Sequence, residues 1–456
     1  MIMTLKILCL SNGHGEDAIA VQIVQELQKY PLPPSLAALP IVGEGYAYTK
    51  MPRLSIIGPR QKMPSGGFIY MDGQQLWQDV KGGLLKMTFT QLKALKYWIS
   101  SETQLGHQVV IFAVGDLVPL LFAWLSGVPY AFLGTAKSEY LVRDKTGKLA
   151  SNSWVESFQH WSKSVYFPWE CWLMSRSKCR AVLARDDLTA QILRKKSIRS
   201  YYLGNPMMDG VKLENSLLSI DRSDAKILGM QSQVTITLLP GSRSPEVYAN
   251  WEIIIQAVVG LLETFPQQKF LFLGAIAPNL SLEPFITLLQ SYHWQTELEM
   301  RTDTQNSILQ LPVDRPVPTF FFGEGNIQFP VKLTSQNKNA SMILDRQAFP
   351  EFLHRGNLAI AMAGTATEQF VGLGKPAIAI PGNGPQFTSA FAEAQSRLLG
   401  ISIILVKHPK EVADAVKSLL NDPERLQLIT KNGVQRMGKP GAAQRIANFL
   451  MELNWM

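Results

Sequence analysis

Apolar positions fall along this chain in two alternating rhythms. Short unbroken apolar runs mark strands buried on both faces. Strands, most of them built on such runs, are predicted at residues 6–10, 37–42, 54–57, 108–114, 130–133, 180–184 and 199–203, with a further strand at 66–70 between Pro/Gly-rich turns. Between them lie stretches with the 3.6-residue helical period, at 18–28, 77–99, 117–125 and 186–195. The pattern breaks at Gly204-Asn205-Pro206, and the mixed polar stretch 210–230 reads as an interdomain connection. A second alternation follows: a strand at 234–239, a turn at 240–244, a long helix at 246–265 and a strand at 269–273. The pattern loosens from 295 to 335, with strands predicted at 320–322 and 329–333. Then come a strand at 358–361, a helix from near Thr365, a strand at 377–380 and a helix opened by Gln386. Helices at 408–420, 423–433 and 441–453 close the chain, and no internal repeat is visible. Two β/α alternations of similar size predict an α/β protein of two doubly wound domains, with a ligand cleft between them.

The stretch IAMAGTATEQFVGLGKPAIAIPGNGPQFTSAFAEAQ, residues 360–395, concentrates the candidate chemistry. It is a β-loop-α-β-loop-α unit with polar residues at both loop-to-helix junctions. Such junctions carry unpaired backbone N–H groups and the positive end of a helix dipole, which suit a phosphate. A carboxylate one turn further on suits ribose hydroxyls. The unit is therefore a candidate nucleotide-sugar site, and the plain alternative is an α/β crossover with a glycine at a tight turn. The first glycine turn, Ser11-Asn12-Gly13-His14-Gly15-Glu16-Asp17, follows a strand but is not GxGxxG, so it is a weak dinucleotide fingerprint.

Composition narrows the field. The chain has 456 residues, of which 46% are hydrophobic and 18% charged, as expected of a folded protein with sizeable cores. A formal charge of +8 suits an anionic partner such as nucleic acid, nucleotide phosphates or an anionic membrane. The three cysteines, Cys9, Cys171 and Cys179, form no CxxC and lie far from any His cluster, which fits free thiols in a reducing compartment. The apolar runs fall short of the roughly 18 residues of a membrane span, and the short run after Lys6 fits a first strand rather than a signal peptide. A cytoplasmic protein, soluble or peripheral, is expected.

Residues 152–180 differ in character. Trp154, Phe158, Trp161, Tyr166, Phe167, Trp169 and Trp172 are interleaved with Lys163, Arg176, Lys178 and Arg180. Aromatics beside basic residues suit a membrane interface or a lipid groove. The alternative is an aromatic-rich core.

Several stretches together resemble a known family. Leu238-Leu239-Pro240-Gly241-Ser242-Arg243, with Glu246 shortly after, resembles the LPGSRxxE motif of bacterial lipid-A-disaccharide synthase. Gly204-Asn205-Pro206-Met207-Met208-Asp209 resembles its GHPLVD segment. Gly364-Thr365-Ala366-Thr367-Glu368 resembles its SGTATLE segment and the GAxTxxE box of the peptidoglycan transferase that acts on lipid I. Phe112–Leu117 falls where the synthase carries its strand-end IDAPDF segment. The first glycine turn departs from the synthase's GEASGD loop, which leaves open which residue is the base and suggests a different acceptor.

The resemblance implies a GT-B fold, two Rossmann-like doubly wound domains facing across a cleft. The corresponding divisions are 1–205 for the acceptor side, 206–230 for the linker, 231–438 for the nucleotide-sugar domain, and 439–456 for a helix returning to the first domain. The implied activity is that of a hexosyltransferase. It would move a hexose or N-acetylhexosamine from a UDP-sugar to a lipid or lipid-linked acceptor, at the cytoplasmic face of the membrane. No metal and no cofactor beyond the donor are implied, and nucleic acid has no part in it. An NDP-sugar epimerase or hydrolase of the same fold, and a non-catalytic nucleotide-sugar-binding homologue, are the competing expectations.

Residue roles follow from the same motifs. Glu368 is expected at the donor ribose, or else as a first-turn acid on the helix dipole. Gly364, Thr365 and Thr367 are expected to serve the pyrophosphate and its surroundings, and Gly241, Ser242 and Arg243 to form a second phosphate-facing loop. Arg243 paired with Glu246 is the plain alternative. Gln386 is expected at the sugar. Displacement at the anomeric carbon needs a base for the acceptor hydroxyl. Asp116, at a strand end, is the first candidate, with capping of the helix 117–125 as its alternative. His14, with a counterpart in the lipid I transferase, and Glu16 are the others. Trp161, Trp169 and Trp172 are expected to meet the membrane or lipid tails.

Overall fold

Residues Leu5–Asn12 form the first strand, β1, which sends Ile7 and Cys9 to one face and Leu8 and Leu10 to the other, all four buried. Burial on both faces is the reason the run is apolar without alternation. In this computed structural model the described residues are 4–60, 84–143, 164–211, 233–296, 331–335 and 339–456. The chain divides into two units, Met1–Asp209 with Gly438–Met456, and Gly210–Met437.

In the first unit the described residues form β1, β2 (Ser35–Val42), β3 (Leu54–Ile56), β4 (Gln108–Gly115), β5 (Tyr130–Gly134), β6 (Cys179–Leu183) and β7 (Ser200–Tyr201). They pair in parallel in the order β3-β2-β1-β4-β5-β6-β7. On one face Ile23, Val24 and Leu27 of the helix His14–Gln28 pack with Ile446, Ala447 and Leu450 of the helix Ala442–Glu452. On the other, Leu95, Leu120, Phe122 and Leu173 come from the helices Leu84–Gln104, Leu117–Ser126 and Pro168–Met174.

Two polar side chains tie the last helix to this unit. The Asp209 carboxylate accepts the backbone amide of Gly441 and, at 2.6 Å, that of Ala443, at the helix start. The Arg445 guanidinium donates to the carbonyls of Leu203, Lys439 and Pro440.

The second unit contains β8 (Gln233–Leu239), β9 (Lys269–Ala275), β10 (Gln295–Thr296), β11 (Val331–Thr334), β12 (Ala340–Asp345), β13 (Leu358–Ala361), β14 (Ala377–Ala379) and β15 (Ile403–Leu405). The sheet order is β10-β11-β12-β9-β8-β13-β14-β15, parallel from β12 to β15, with β10 and β11 antiparallel at one edge.

Several elements differ from the sequence expectation. The first helix starts at His14 rather than 18, because Gly13, at φ 117°, turns the chain and Glu16 and Asp17 fill a polar first turn. Gln386 does not open a helix: that helix is Ser389–Leu399, and Thr388 caps it by accepting the Phe391 amide at 3.1 Å. The strands Ala340–Asp345 and Ile403–Leu405 and the helices Glu283–Ser291 and Phe349–Arg355 are additional. Residues Pro206–Val211, expected as linker, form a short 3-10 helix. The strands expected at 66–70 and 320–322, and residues 212–230 of the connector, lie outside the described residues. No helix among the described residues is long and apolar enough to cross a membrane.

Candidate functional site

In a doubly wound sheet the crevice opens where successive crossovers leave in opposite directions, at the carboxyl ends of the two strands that flank the reversal. In the first sheet those strands are β1 and β4. Their ends bring Asn12, Glu16 and Asp17 to Gly115 and Asp116. Asn12 donates its side-chain amide to Asp116 Oδ1 at 3.0 Å. The same oxygen accepts the Val118 amide at 2.9 Å, so Asp116 caps the helix Leu117–Ser126. Burial raises the Asp116 carboxyl, opposed by these two donors.

Glu16 is half-buried against Gly115, where a Cβ would stand 3.3 Å from its Cγ. Its carboxyl is pushed up to about 7, first by burial, with Asp116 and Asp17 adding to the rise. Asp17 lies deeper. It accepts the Ser11 hydroxyl at 2.5 Å, and Ser11 also meets the Tyr48 hydroxyl at 2.6 Å. Burial lifts Asp17 to about 6. Asn12 Oδ1 and Asp17 Oδ2 are buried without a hydrogen-bond partner among the described residues. His14 begins the helix beside Gly13, and its side chain lies outside the described residues.

Nearby, Lys137 donates to Glu170 at 2.5 Å and lies 4.6 Å from the Phe167 ring centroid. Trp169 stacks on Phe167, and Trp172 meets Trp124 edge-on at 5.4 Å while the Arg176 guanidinium lies 4.3 Å from its ring centroid. Trp169 and Trp172 are 49% and 45% exposed, whereas Tyr166 is buried, so the aromatic stretch divides between core and surface. Trp161 lies outside the described residues.

In the second sheet the reversal lies between β8 and β13, in register from Leu358 opposite Ile236 to Ala361 opposite Leu239. The loops that leave their ends are 240–244 and 362–364. Gly241, at φ 103°, lets the first loop approach the second: a Cβ there would stand 3.3 Å from the Met362 carbonyl oxygen. Ser242 and Arg243 are exposed on it. The helix Thr365–Gly372 starts from Gly364 with no side-chain cap, and Thr365 is exposed at its tip. Glu368 is buried in its first turn. Thr367 is fully buried and its hydroxyl donates to the Ala363 carbonyl at 2.5 Å, so it supports the turn and does not present a group to a ligand.

Three residues in this region were not singled out as site residues from sequence. Asn250 donates to the Pro240 carbonyl at 3.0 Å, and Gln395 donates to the carbonyls of Ala363 and Gly364 at 3.2 and 3.1 Å. Glu246 accepts the amides of Gln386 and Phe387, the latter at 2.7 Å. Glu246 had a signal as the acid of the LPGSRxxE-like stretch, whereas Asn250 and Gln395 were only polar residues on otherwise apolar helix faces.

Comparisons with known proteins agree with this architecture. A family model described as lipid-A-disaccharide synthetase matches residues 188–310, which include Gly204–Asp209 and Leu238–Glu246 but not Gly364–Glu368. Lipid-A-disaccharide synthase of Acinetobacter baylyi is 25% identical over 169 residues, 35% of this chain and 40% of that protein, so the match spans less than half of that relative. UDP-GlcNAc 2-epimerase from Neisseria meningitidis, solved bound to UDP-GlcNAc, is 14% identical with a TM-score of 0.50, covering 98% of this chain and all of that one. MurG of Acinetobacter baumannii is 12% identical with a TM-score of 0.51, covering 98% of this chain and 99% of that one. The chain has the GT-B fold, with two Rossmann-like units.

Proposed function

We propose that this protein is a hexosyltransferase that moves a hexose or N-acetylhexosamine from a UDP-sugar to a hydroxyl of a lipid or lipid-linked acceptor. The observation that carries this reading is the uncapped start of the helix Thr365–Gly372 at the reversal point of the second sheet, beside the exposed Arg243 loop. A helix start of this kind stabilises an anion, and a guanidinium adds bidentate donors for a diphosphate. Glu368, one turn in, would take the ribose hydroxyls, and Gln386 the sugar.

In the reaction an acceptor oxygen attacks the anomeric carbon, the bond from that carbon to the diphosphate breaks, and UDP leaves with the electron pair. Arg243 and the amides at Gly364 and Thr365 would stabilise the charge that develops there, so the reading calls for no metal. For the base we look to the acid group of the first unit. Sequence put Asp116 first. One of its oxygens is engaged by the Val118 amide and by Asn12, whereas Glu16, lifted to about 7, suits proton abstraction near neutrality. We assign Glu16 as base, with Asp116 holding the loop beside it. The exposed Trp169 and Trp172, next to Arg176, support a lipid-linked acceptor at an anionic membrane surface. That site of action would be the cytoplasmic face.

The test is incubation with a panel of labelled UDP-sugars and membrane lipid extract. A labelled glycolipid supports transfer, and Arg243→Ala should lower its formation by on the order of 100-fold. Labelled free sugar or an altered sugar nucleotide would move the protein to the epimerase or hydrolase class. UDP binding without turnover would make it a binding protein. Glu368→Ala should weaken UDP binding by about tenfold.

A further inference from the structure

The unit at residues 360–395 has two loop-to-helix junctions side by side, since β13 and β14 pair in register from Ala359 opposite Ala377 to Ala361 opposite Ala379. Phe391 and Gln395 lock the second junction to the first: Phe391 Cζ would stand 3.4 Å from a Cβ at Gly364, and Gln395 holds the carbonyls of Ala363 and Gly364. As loop-to-helix junctions, both are candidate phosphate sites from the sequence pattern alone. The structure makes them opposites. The start of Thr365–Gly372 has no side-chain cap. At the second junction Thr388 caps the helix, and the Glu246 carboxylate occupies the amides of Gln386 and Phe387.

Glu246 also sets the shape of this loop. The Gly382 amide closes on the Phe387 carbonyl at 2.8 Å. A Cβ at Gly384 would lie 2.3 Å from Glu246 Cγ, and one at Gly382 would lie 2.8 Å from Asn250 Oδ1. Glu246 and Asn250, four apart on one helix face, both lie against the loop, and Glu246 holds it through the two amides. The loop PGNGPQFT, residues 381–388, contains no charged residue and offers Asn383 and Gln386 as hydrogen-bonding groups.

We propose that Glu246 is a specificity-determining residue, which makes the 381–388 loop a subsite for an uncharged, hydroxyl-bearing portion of the ligand and turns away an anionic one. A ligand anchored by its phosphates at Gly364–Thr365 then meets, on the β14 side, amides already satisfied and a fixed negative charge below them. A neutral sugar loses nothing there, and a carboxylate is repelled. This rests on the nucleotide-sugar reading above.

The experiment is calorimetric titration of the full chain with UDP, UDP-glucose, UDP-N-acetylglucosamine and UDP-glucuronate. Wild type should bind at least one neutral sugar nucleotide about tenfold or more tighter than the uronate. In Glu246→Gln the gap should narrow to about threefold or less. Equal wild-type affinity for the neutral and acidic compounds overturns the proposal without any variant, as does an undiminished gap in a folded Glu246→Gln. UDP binding accompanied by such a result leaves the nucleotide reading standing. Failure to bind any UDP compound removes both.

Discussion

Asn12 donates its side-chain amide to Oδ1 of Asp116 at 3.0 Å, across 104 residues of sequence. The same oxygen caps the helix Leu117–Ser126 through Val118. Asp116→Ala should therefore lower stability by about 1–2 kcal/mol in urea unfolding, while Asp116→Asn, which keeps a capping oxygen, should stay within about 0.5 kcal/mol of wild type. Transfer by Asp116→Asn should persist at a reduced rate. A loss as deep as that of Glu16→Gln would return the role of base to Asp116.

Glu16 gives a pH signature with a defined sign. Its folded-state value of about 7 lies above the unfolded 4.5, so between those values the folded chain holds a proton that the unfolded chain has released. Stability therefore falls as pH rises through that window. Glu16→Gln removes this burden, so its stability gain should be absent below pH 4.5, grow towards pH 7 and then level off, reaching on the order of 1–3 kcal/mol. Unfolding midpoints measured across the window check this. The wild-type transfer rate should rise through about pH 7 as Glu16 loses its proton.

The half-exposed rings of Trp169 and Trp172 supply little core packing on their outer edges. Trp169→Ser and Trp172→Ser together should release the protein from anionic vesicles in sedimentation, and Trp169→Ser alone should leave the thermal midpoint nearly unchanged. Undiminished sedimentation would assign the rings a role away from the membrane.

Asp209 accepts two amides at the start of the last helix. Asp209→Ala should cost about 1–2 kcal/mol and speed hydrogen exchange in Ala442–Glu452 ahead of the rest of the first unit. Uniform exchange across the unit would mean that Arg445 and the Ile446–Leu450 packing hold the helix unaided.

Much of the frame was legible because parallel sheets advertise themselves. Runs such as Val109–Val114 and Leu358–Ala361 are apolar on both faces because helices cover both faces. Short edge strands such as Ile403–Leu405, partly exposed, lack that signal. Helix starts were the weakest part. Gly13 and Thr388 define them through backbone angle and a single side-chain oxygen, neither of which has a period to read.

By itself the sequence determined the α/β alternation, the positions of the Pro240–Ser244 loop and the Gly364–Glu368 loop-to-helix junction at strand ends, and the candidate acids. Those are local properties, set by periodicity and turn chemistry within a few residues. Only the tertiary structure decided which loops are neighbours, because strand order brings β1 beside β4 and β8 beside β13 over more than a hundred residues of chain. It also decided which polar groups are already satisfied. Asp116 became a cap, Thr367 a buried prop, and Glu246 the carboxylate that fills the second junction, while the first has no side-chain cap. Hydrogen-bond partners distant in sequence make those assignments, and no local pattern carries them.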